Sequence, residues 1–278
     1  MSVVNIKSAL ENTGGEREEI CEKHGKFISK NVFSKVWSKC PVCTAETAKR
    51  EAQEAEAAEL REKSMRWSSR VSDAGIPVRF NNRTLENYVV EHDGHRRVLK
   101  FAQGYVDGFS SVVQSGVSFV LSGGVGSGKC HLACGIAIEL MKRNRTVLFR
   151  TMDLIIMRLR SGMNHKSEKN QIDLIAEMVF PDLLIIDEVG LKLGATEDEL
   201  RLLFLIINER YNARKPMLLI TNLNARKSIE GIGGQTFINE IKQFLGDRIY
   251  DRLSEDGGKI IGFDWESYRK KAQLGGGG

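Results

Sequence analysis

A glycine-rich stretch that follows a short apolar run constrains the fold of this chain more than any other feature. Residues 121–130 read LSGGVGSGKC, and the preceding residues 117–121 are apolar or small. Gly123, Gly128 and Lys129 fit the pattern G-x-x-x-x-G-K-[ST], in which a strand leads into a loop and the loop opens a helix. Backbone N–H groups of such a loop, together with the lysine ammonium, surround phosphate oxygens. The stretch therefore predicts a nucleotide phosphate site at the end of a strand.

The last position of this pattern departs from the rule. It normally carries a serine or threonine hydroxyl for Mg²⁺, whereas residue 130 is a cysteine. Magnesium is a hard ion that prefers oxygen ligands to sulfur. We therefore expect nucleotide binding to be retained and Mg²⁺ coordination to be weakened. The predicted nucleotide contacts are Gly123, Gly124, Val125, Gly126, Ser127, Gly128, Lys129, Cys130 and His131.

Composition narrows the class of protein. The chain has 278 residues, of which 41% are hydrophobic and 28% charged, as in ordinary folded proteins. No apolar run approaches membrane-spanning length, and positions 1–20 contain no signal-peptide core. Five cysteines in such a chain indicate a reducing compartment and favour metal binding over disulfides. We therefore expect a cytoplasmic protein with no membrane partner, whose net charge of +5 permits nucleic-acid binding without requiring it.

Alternating strand and helix patterns predict an α/β fold. Short, continuously apolar runs suit a parallel sheet that is covered on both faces, and the segments between them have helical spacing. The fold class that follows is a five-stranded parallel sheet with helices on both sides. The predicted strands are 117–122, 146–150, 183–187, 217–221 and 259–263, and the predicted helices are 96–109, 131–143, 153–160, 170–179 and 197–213.

Changes in composition divide the chain into five predicted regions. A connecting helix is predicted because its residues are rich in Ala, Glu, Lys and Arg and almost lack Gly, Pro and β-branched residues. Few apolar residues line up along one face of that helix, so it is either a solvated spacer or a docking surface for a partner. The regions are a loosely ordered leader (1–20), a zinc-binding module (21–48), the connecting helix (49–73), the α/β domain (74–270) and a flexible tail (271–278).

A compact cluster of cysteine and histidine precedes the connecting helix. Cys21-x₂-His24 and Cys40-x₂-Cys43 are two paired-ligand elements separated by fifteen residues. Thiolate and imidazole are ligands that Zn²⁺ favours, and four of them close a tetrahedron, so we expect a structural zinc site. Redox activity of the Cys-x₂-Cys pair is the alternative. The small core expected to fold around the metal consists of Phe27, Ile28, Val32, Phe33, Val36 and Trp37.

Two of the predicted strands end in polar side chains that suit nucleotide chemistry. Strand 183–187 ends in Asp187, which is followed by Glu188. Asp187 is placed to associate with Mg²⁺, and Glu188 to polarise an attacking water. Asn222 follows strand 217–221 and is predicted to orient that water or to contact the γ-phosphate. The alternatives are a buried strand with an acidic turn in the first case and a strand-end cap in the second.

Two arginines near the end of the α/β domain share one face of a helix. Arg248 and Arg252 are four residues apart. Their spacing fits surface ion pairs with Asp247 or Asp251. It equally fits an arginine finger, which is offered to the nucleotide of a neighbouring subunit to neutralise charge in the transition state.

Taken together, these motifs resemble the AAA+ ATPases, and within them the DnaC/IstB branch of bacterial and phage replication proteins. The resemblance runs from about residue 76 to residue 269. The N-terminal cluster is similar to the zinc-binding N-termini of some phage-encoded members. The resemblance to the branch rests on GSGKCHLA (126–133), LLIIDEVG (183–190), IINERY (206–211), TNL (221–223), DRIYDRL (247–253) and FDWESYR (263–269).

The resemblance implies an ATP and Mg²⁺ site that is completed by self-association of the ATPase domain. Cys130 is the departure, since this branch normally has Thr or Ser there. The roles implied for the matching residues are Lys129 in the first Walker motif, Asp187 and Glu188 in the second, Asn222 as the sensor, Arg252 at the arginine-finger position with Arg248 close by, and Arg269 as a candidate second sensor.

A basic segment follows the second predicted strand of the α/β domain. In DnaC and DnaA relatives, an inserted helical element near this place lines a channel for single-stranded DNA. Arg158, Arg160 and Lys166 would contact DNA phosphates through charge, which gives binding that depends on salt and tolerates many sequences. The alternative is a solvated helix end.

The expected function is that of a replicative helicase loader. In this interpretation the protein binds ATP and single-stranded DNA, and its N-terminal zinc module and helix engage a ring helicase during replication initiation. One alternative is an IstB-like transposition helper ATPase. The other is a nucleotide-controlled switch or scaffold that binds ATP but rarely hydrolyses it, which Cys130 favours.

Overall fold

The computed structural model describes residues 15–33, 36–163, 168–191, 196–225, 227–231 and 234–268. The chain divides into two units, Met1–Ser68 and Ser69–Gly278. Among the described residues, none of the helices combines the length and the apolar character that a membrane crossing requires.

A three-stranded antiparallel sheet opens the N-terminal unit. Its strands are β1 (Glu16–Cys21), β2 (Gly25–Phe33) and β3 (Val36–Trp37), in the order β1-β2-β3. Gly25 turns the chain between β1 and β2 with a φ of 76°. The ion pairs Lys26–Glu18 and Lys30–Glu16 join β1 to β2 across the sheet. The expectation of a loosely ordered leader is therefore wrong for residues 16–20, because backbone pairing with β2 orders them.

This sheet buries less apolar surface than its sequence predicts. Side chains alternate between the two faces of a strand, so Ile28 and Val32 share a face of β2 with Lys26 and Lys30. Trp37 packs instead under Arg17, whose guanidinium carbon lies 4.2 Å from the ring centroid. The expected core is thus wrong for three residues, and the side chain of Phe33 lies outside the described residues. The exposed fractions are 57% for Ile28, 59% for Val32 and 60% for Val36.

The long helix α1 (Pro41–Asp73) follows the sheet and is exposed along most of its length. It begins at Pro41 and not at the expected position 49, since proline suits the first helical position. It ends where expected, before Gly75, whose φ is 79°. Exposed pairs such as Lys63 with Glu59, four residues apart, support a solvated helix.

The second unit contains the predicted five-stranded parallel sheet. The strand order is β10-β4-β7-β6-β5, and every neighbouring pair is parallel. A separate antiparallel hairpin, β8–β9, was not predicted, because its apolar residues are few and glycines interrupt them. The strands are β4 (Phe119–Gly123), β5 (Val147–Thr151), β6 (Leu183–Val189), β7 (Met217–Thr221), β8 (Lys227–Gly231), β9 (Gly234–Ile238) and β10 (Lys259–Phe263).

Helices connect these strands and cover the sheet. The helix predicted at 96–109 is two helices, because Gly108 ends the first of them. Capping boxes begin two others, with Asn170 and Asp173 at one and Thr196 and Glu199 at the other. The helices are α2 (Asp93–Asp107), α3 (Phe109–Ser115), α4 (Lys129–Lys142), α5 (Met152–Ser161), α6 (Gln171–Val179), α7 (Glu197–Asn212) and α8 (Glu240–Ser254).

Burial on both faces explains why the strands are continuously apolar. Residues 183–186 of β6 are completely buried, as are Leu218 and Leu219 of β7. Because β4, β7 and β6 are parallel neighbours, their carboxyl ends meet at one edge of the sheet. Ligands of open α/β sheets bind at this edge, and the predicted nucleotide residues lie there.

Candidate functional site

The loop between β4 and α4 has the conformation that its glycines allow. Gly123, Gly126 and Gly128 have φ values of 153°, 78° and 97°. A Cβ atom at Gly123 would lie 2.4 Å from the carbonyl oxygen of Phe263, so a larger residue does not fit there. Helix α4 begins directly after Gly128 and turns its free N–H groups towards the loop. The arrangement is that of an anion site at a helix N-terminus.

Lys129 is the first residue of α4, and its side chain, which is only 4% exposed, folds back against the loop. Its Nζ donates hydrogen bonds to the carbonyl oxygens of Gly123 (2.7 Å) and Gly124 (2.8 Å). It also donates to Oδ1 of Asn222 at 3.0 Å. Burial lowers the pKa of the Lys129 ammonium. Both residues are predicted to belong to the nucleotide site, and this contact, which the sequence did not predict, links the loop to the end of β7.

Asp187 and Glu188 lie at an irregularity of β6. The pairing of β6 with β7 shifts register between Ile186 and Val189, and Glu188 has a φ of 60°. The Glu188 N–H donates to Oδ1 of Asp187 at 2.7 Å. Bulges and positive φ values of non-glycine residues cluster at functional sites, where they direct side chains. Here the Glu188 side chain is exposed, and that of Asp187 points to the loop.

The Cys130 thiol lies against this carboxylate. Its Sγ donates a hydrogen bond to Oδ2 of Asp187 at 3.3 Å. Burial, and secondly the Asp187 charge, raise the pKa of Cys130 to about 12, so the thiol is neutral at pH 7. The site offers a magnesium ion one carboxylate and one sulfur, and sulfur does not suit this hard ion. The residues present therefore do not fit the magnesium site that the ATPase resemblance implies.

Contacts that the sequence did not predict fix the loop from outside. Trp265 donates its ring N–H to the Ser127 carbonyl at 3.0 Å, and the Tyr268 N–H donates to the Gly126 carbonyl at 3.1 Å. Both belong to segment 263–269, so the resemblance could have indicated them. His131 contacts the Thr84 carbonyl through Nε2 at 3.0 Å. The predicted second sensor, Arg269, lies outside the described residues.

Arg252 and Arg248 follow a kink in α8 at Gly246, where φ is 73°. The Arg252 guanidinium carbon lies 4.8 Å from the ring centroid of Tyr211 and 5.3 Å from that of Phe204. Arg248 is exposed.

One of the two acids that could pair with these arginines already has another partner. Asp247 pairs with Lys242 at 3.1 Å. The aromatic rings hold Arg252 half-buried on the surface, which leaves the arginine finger as a prediction.

The two described arginines of the predicted DNA segment are already paired with acids. Arg158 contacts Glu177 at 3.3 Å. Arg160 contacts Glu199 at 3.3 Å and Asp198 at 3.5 Å. DNA phosphates would have to compete with these carboxylates. Lys166 lies outside the described residues.

The predicted zinc ligands converge in the N-terminal unit. One ligand atom from each of the four residues lies within 4.8 Å of all the others. His24 faces the cysteines through Nδ1, 3.3 Å from Sγ of Cys43, while its Nε2 lies 3.3 Å from a carboxylate oxygen of Glu46. Backbone N–H groups of Lys23 and then His24 lower the pKa of Cys21 to about 6. Such a set fits zinc with a carboxylate orienting the histidine, and the four ligands are Cys21, His24, Cys40 and Cys43.

Known proteins are similar to this chain in sequence and in fold. The family model described as IstB-like ATP binding protein matches residues 59–275. The replicative helicase loader DnaC of Buchnera aphidicola subsp. Schizaphis graminum is 29% identical over 212 residues, which cover 76% of this chain and 79% of that protein. DnaC of Escherichia coli K12 is 28% identical over 215 residues, which cover 77% of this chain and 80% of that protein.

A solved structure extends the likeness to the fold. The crystal structure of the DnaC helicase loader matches with a TM-score of 0.55 and 19% identity, covering 67% of this chain and 99% of that one. The two proteins therefore share the α/β fold of the second unit, with its five-stranded parallel sheet. The family model covers well over half of the chain, including the loop, Asp187, Asn222 and Arg252. The chain belongs to the family of IstB-like ATP-binding proteins.

Proposed function

We propose that this protein binds ATP at the β4–α4 loop and loads a replicative ring helicase onto single-stranded DNA. The observation that carries the ATP site is the convergence of Lys129, Asn222 and Asp187 at one edge of the sheet, with Lys129 buried among loop carbonyls. The loading function is supported by the DnaC relatives, which carry the name replicative helicase loader at 28–29% identity.

The loop would bind phosphate by exchanging hydrogen bonds. The Lys129 ammonium donates hydrogen bonds to two loop carbonyls. When a nucleotide binds, phosphate oxygens would replace these carbonyls as the acceptors. Because Asn222 contacts the same ammonium, a change at Lys129 reaches the end of β7 directly. The exposed Glu188 carboxylate is the group that would polarise an attacking water. Asn222 would then sense the γ-phosphate.

Assembly and partners follow from the surfaces outside this site. The rings of Phe204 and Tyr211 hold Arg252 in place. Arg252 would reach the nucleotide of a neighbouring subunit, with Arg248 beside it. The zinc module and the exposed helix α1 would engage the helicase. Single-stranded DNA would bind near Arg158 and Arg160 by displacing their carboxylate partners.

Two observations favour alternatives. The matching family model is that of the IstB-like proteins, which supports a transposition helper ATPase as a second candidate. The contact of Cys130 with Asp187 supports a switch that binds ATP and hydrolyses it slowly. Turnover with and without single-stranded DNA separates this switch from an active ATPase.

Complex formation with the host's replicative helicase tests the proposal. In analytical ultracentrifugation with ATP, the wild-type protein should sediment together with the helicase. The affinity for ATP is measured separately, and Lys129→Ala should lower it by at least about tenfold because the variant lacks the ammonium that would contact phosphate. Lys142→Ala is the matched control, since Lys142 is at the far end of α4 and forms an exposed ion pair with Glu139. A protein that binds ATP but never the helicase would contradict the loader and favour the IstB-like candidate.

A further inference from the structure

The side chains at the metal position of the nucleotide site combine a thiol with a carboxylate. Sγ of Cys130 and Oδ2 of Asp187 are 3.3 Å apart, at the N-terminus of α4 and the end of β6. We propose that this pair selects a thiophilic divalent cation, such as zinc, over magnesium as the ion that accompanies bound ATP. The inference rests on the proposed ATP site and adds the identity of its metal.

The preference follows from the chemistry of the two donors. Magnesium binds oxygen and gives up its water reluctantly, so a sulfur in its shell costs affinity. Zinc binds thiolate and carboxylate in one site, and softer ions such as cadmium favour sulfur further. The Asp187 oxygen serves either kind of ion, and therefore residue 130 decides between them. When the ion binds, a metal–sulfur bond forms, and the thiol proton leaves to solvent.

The position of Cys130 distinguishes it from the other cysteine of the same helix. Cys134 lies one turn further along α4 and is completely buried. Its side chain is part of the packing behind the loop. Cys130 is partly accessible, and its Sγ contacts the carboxylate of Asp187, which is a residue of the predicted second Walker motif. The N-terminal Cys/His set belongs to the other unit, so the two metal sites can be followed separately.

The affinity for a fluorescent ATP analogue tests the inference without any need for turnover. It is measured on full-length protein in EDTA, Mg²⁺, Mn²⁺ and Cd²⁺, for wild type, Cys130→Ser and Cys130→Thr, with Cys134→Ala as the cysteine control. Wild type should bind the analogue more tightly with Cd²⁺ than with Mg²⁺, and both hydroxyl variants should reverse this order. We expect the ratio of the two affinities to change by at least about tenfold, as ligand substitutions do at metal sites. Cys134→Ala should behave as wild type.

Ultraviolet absorption gives a second, direct reading. A cadmium–thiolate band should appear when the analogue is added to wild type, and it should be missing in Cys130→Ser. The N-terminal cysteines contribute equally to both proteins, so the nucleotide-dependent difference reports Cys130. The same metal order in wild type and in both hydroxyl variants would overturn the inference while leaving ATP binding intact. No analogue binding under any of the four conditions would instead contradict the ATP site itself.

Discussion

Arg210 is a buried cation that joins three parts of the second unit. It lies in α7 and is completely buried. Its Nη1 donates to the carbonyls of Met178 (2.8 Å) and Pro181 (3.1 Å), and its Nη2 to that of Pro216 at 2.7 Å. Burial lowers its pKa to about 9, so it stays charged at pH 7. Arg210 thereby satisfies the C-terminal end of α6 and the loops that lead into β6 and β7.

Replacing Arg210 should destabilise the α/β fold of the second unit. Arg210→Met keeps most of the side-chain volume but removes the guanidinium donors from several buried carbonyls, which we expect to cost at least about 3 kcal/mol. The free energy of unfolding in urea, followed by circular dichroism, measures this cost.

An exposed arginine of the same helix provides the control. Arg201→Met removes only an exposed ion pair with Asp198, at 3.4 Å, and should change stability by less than about 1 kcal/mol. Equal stabilities for the Arg210 and Arg201 variants would show that the carbonyl contacts of Arg210 contribute nothing.

At the scale of elements, we expect the stability of the N-terminal sheet to depend on its Cys/His set. Its apolar residues Ile28, Val32 and Val36 are exposed, so the hydrophobic contribution to its stability is small. Two of the four ligand residues flank the β1–β2 turn, and the other two flank the start of α1. A metal that binds all four residues would hold these elements together. Because the unfolded chain has no preformed site, the free energy of metal binding would add to the free energy of folding.

Removal of the metal should therefore unfold this sheet and spare the second unit. We expect about one zinc per chain in purified protein, as a four-ligand structural site holds. Cys40→Ser should release it and make residues 16–37 sensitive to protease, whereas Cys134→Ala should retain it. Metal analysis and limited proteolysis check both outcomes. Wild-type protein without metal would refute the zinc site.

At the scale of the whole molecule, the sequence predicted the five-stranded parallel sheet. Strands 217–221 and 259–263 were predicted with their observed bounds, because continuous apolar runs report burial on both faces. Lys129 and Asn222 were both predicted as residues of the nucleotide site, whereas the direct contact between them is an observation that the sequence did not predict.

Other features depend on contacts that no local pattern carries. The fastening of the loop by Trp265 joins residues far apart in the chain. The pairing of Arg158 and Arg160 with acids of α6 and α7 is of the same kind. Exposure of the N-terminal apolar residues was missed because apolar type alone does not say which face of a small sheet is covered.

Loading of the ring helicase onto closed circular single-stranded DNA tests the proposed function most directly, since a circle has no end over which a ring can slide. With wild-type protein and ATP, helicase should become bound to the circle and unwind an annealed strand, and Lys129→Ala should fail. Unwinding that is the same with and without this protein, under conditions where the helicase is active on a linear strand with a free end, would contradict the loader function.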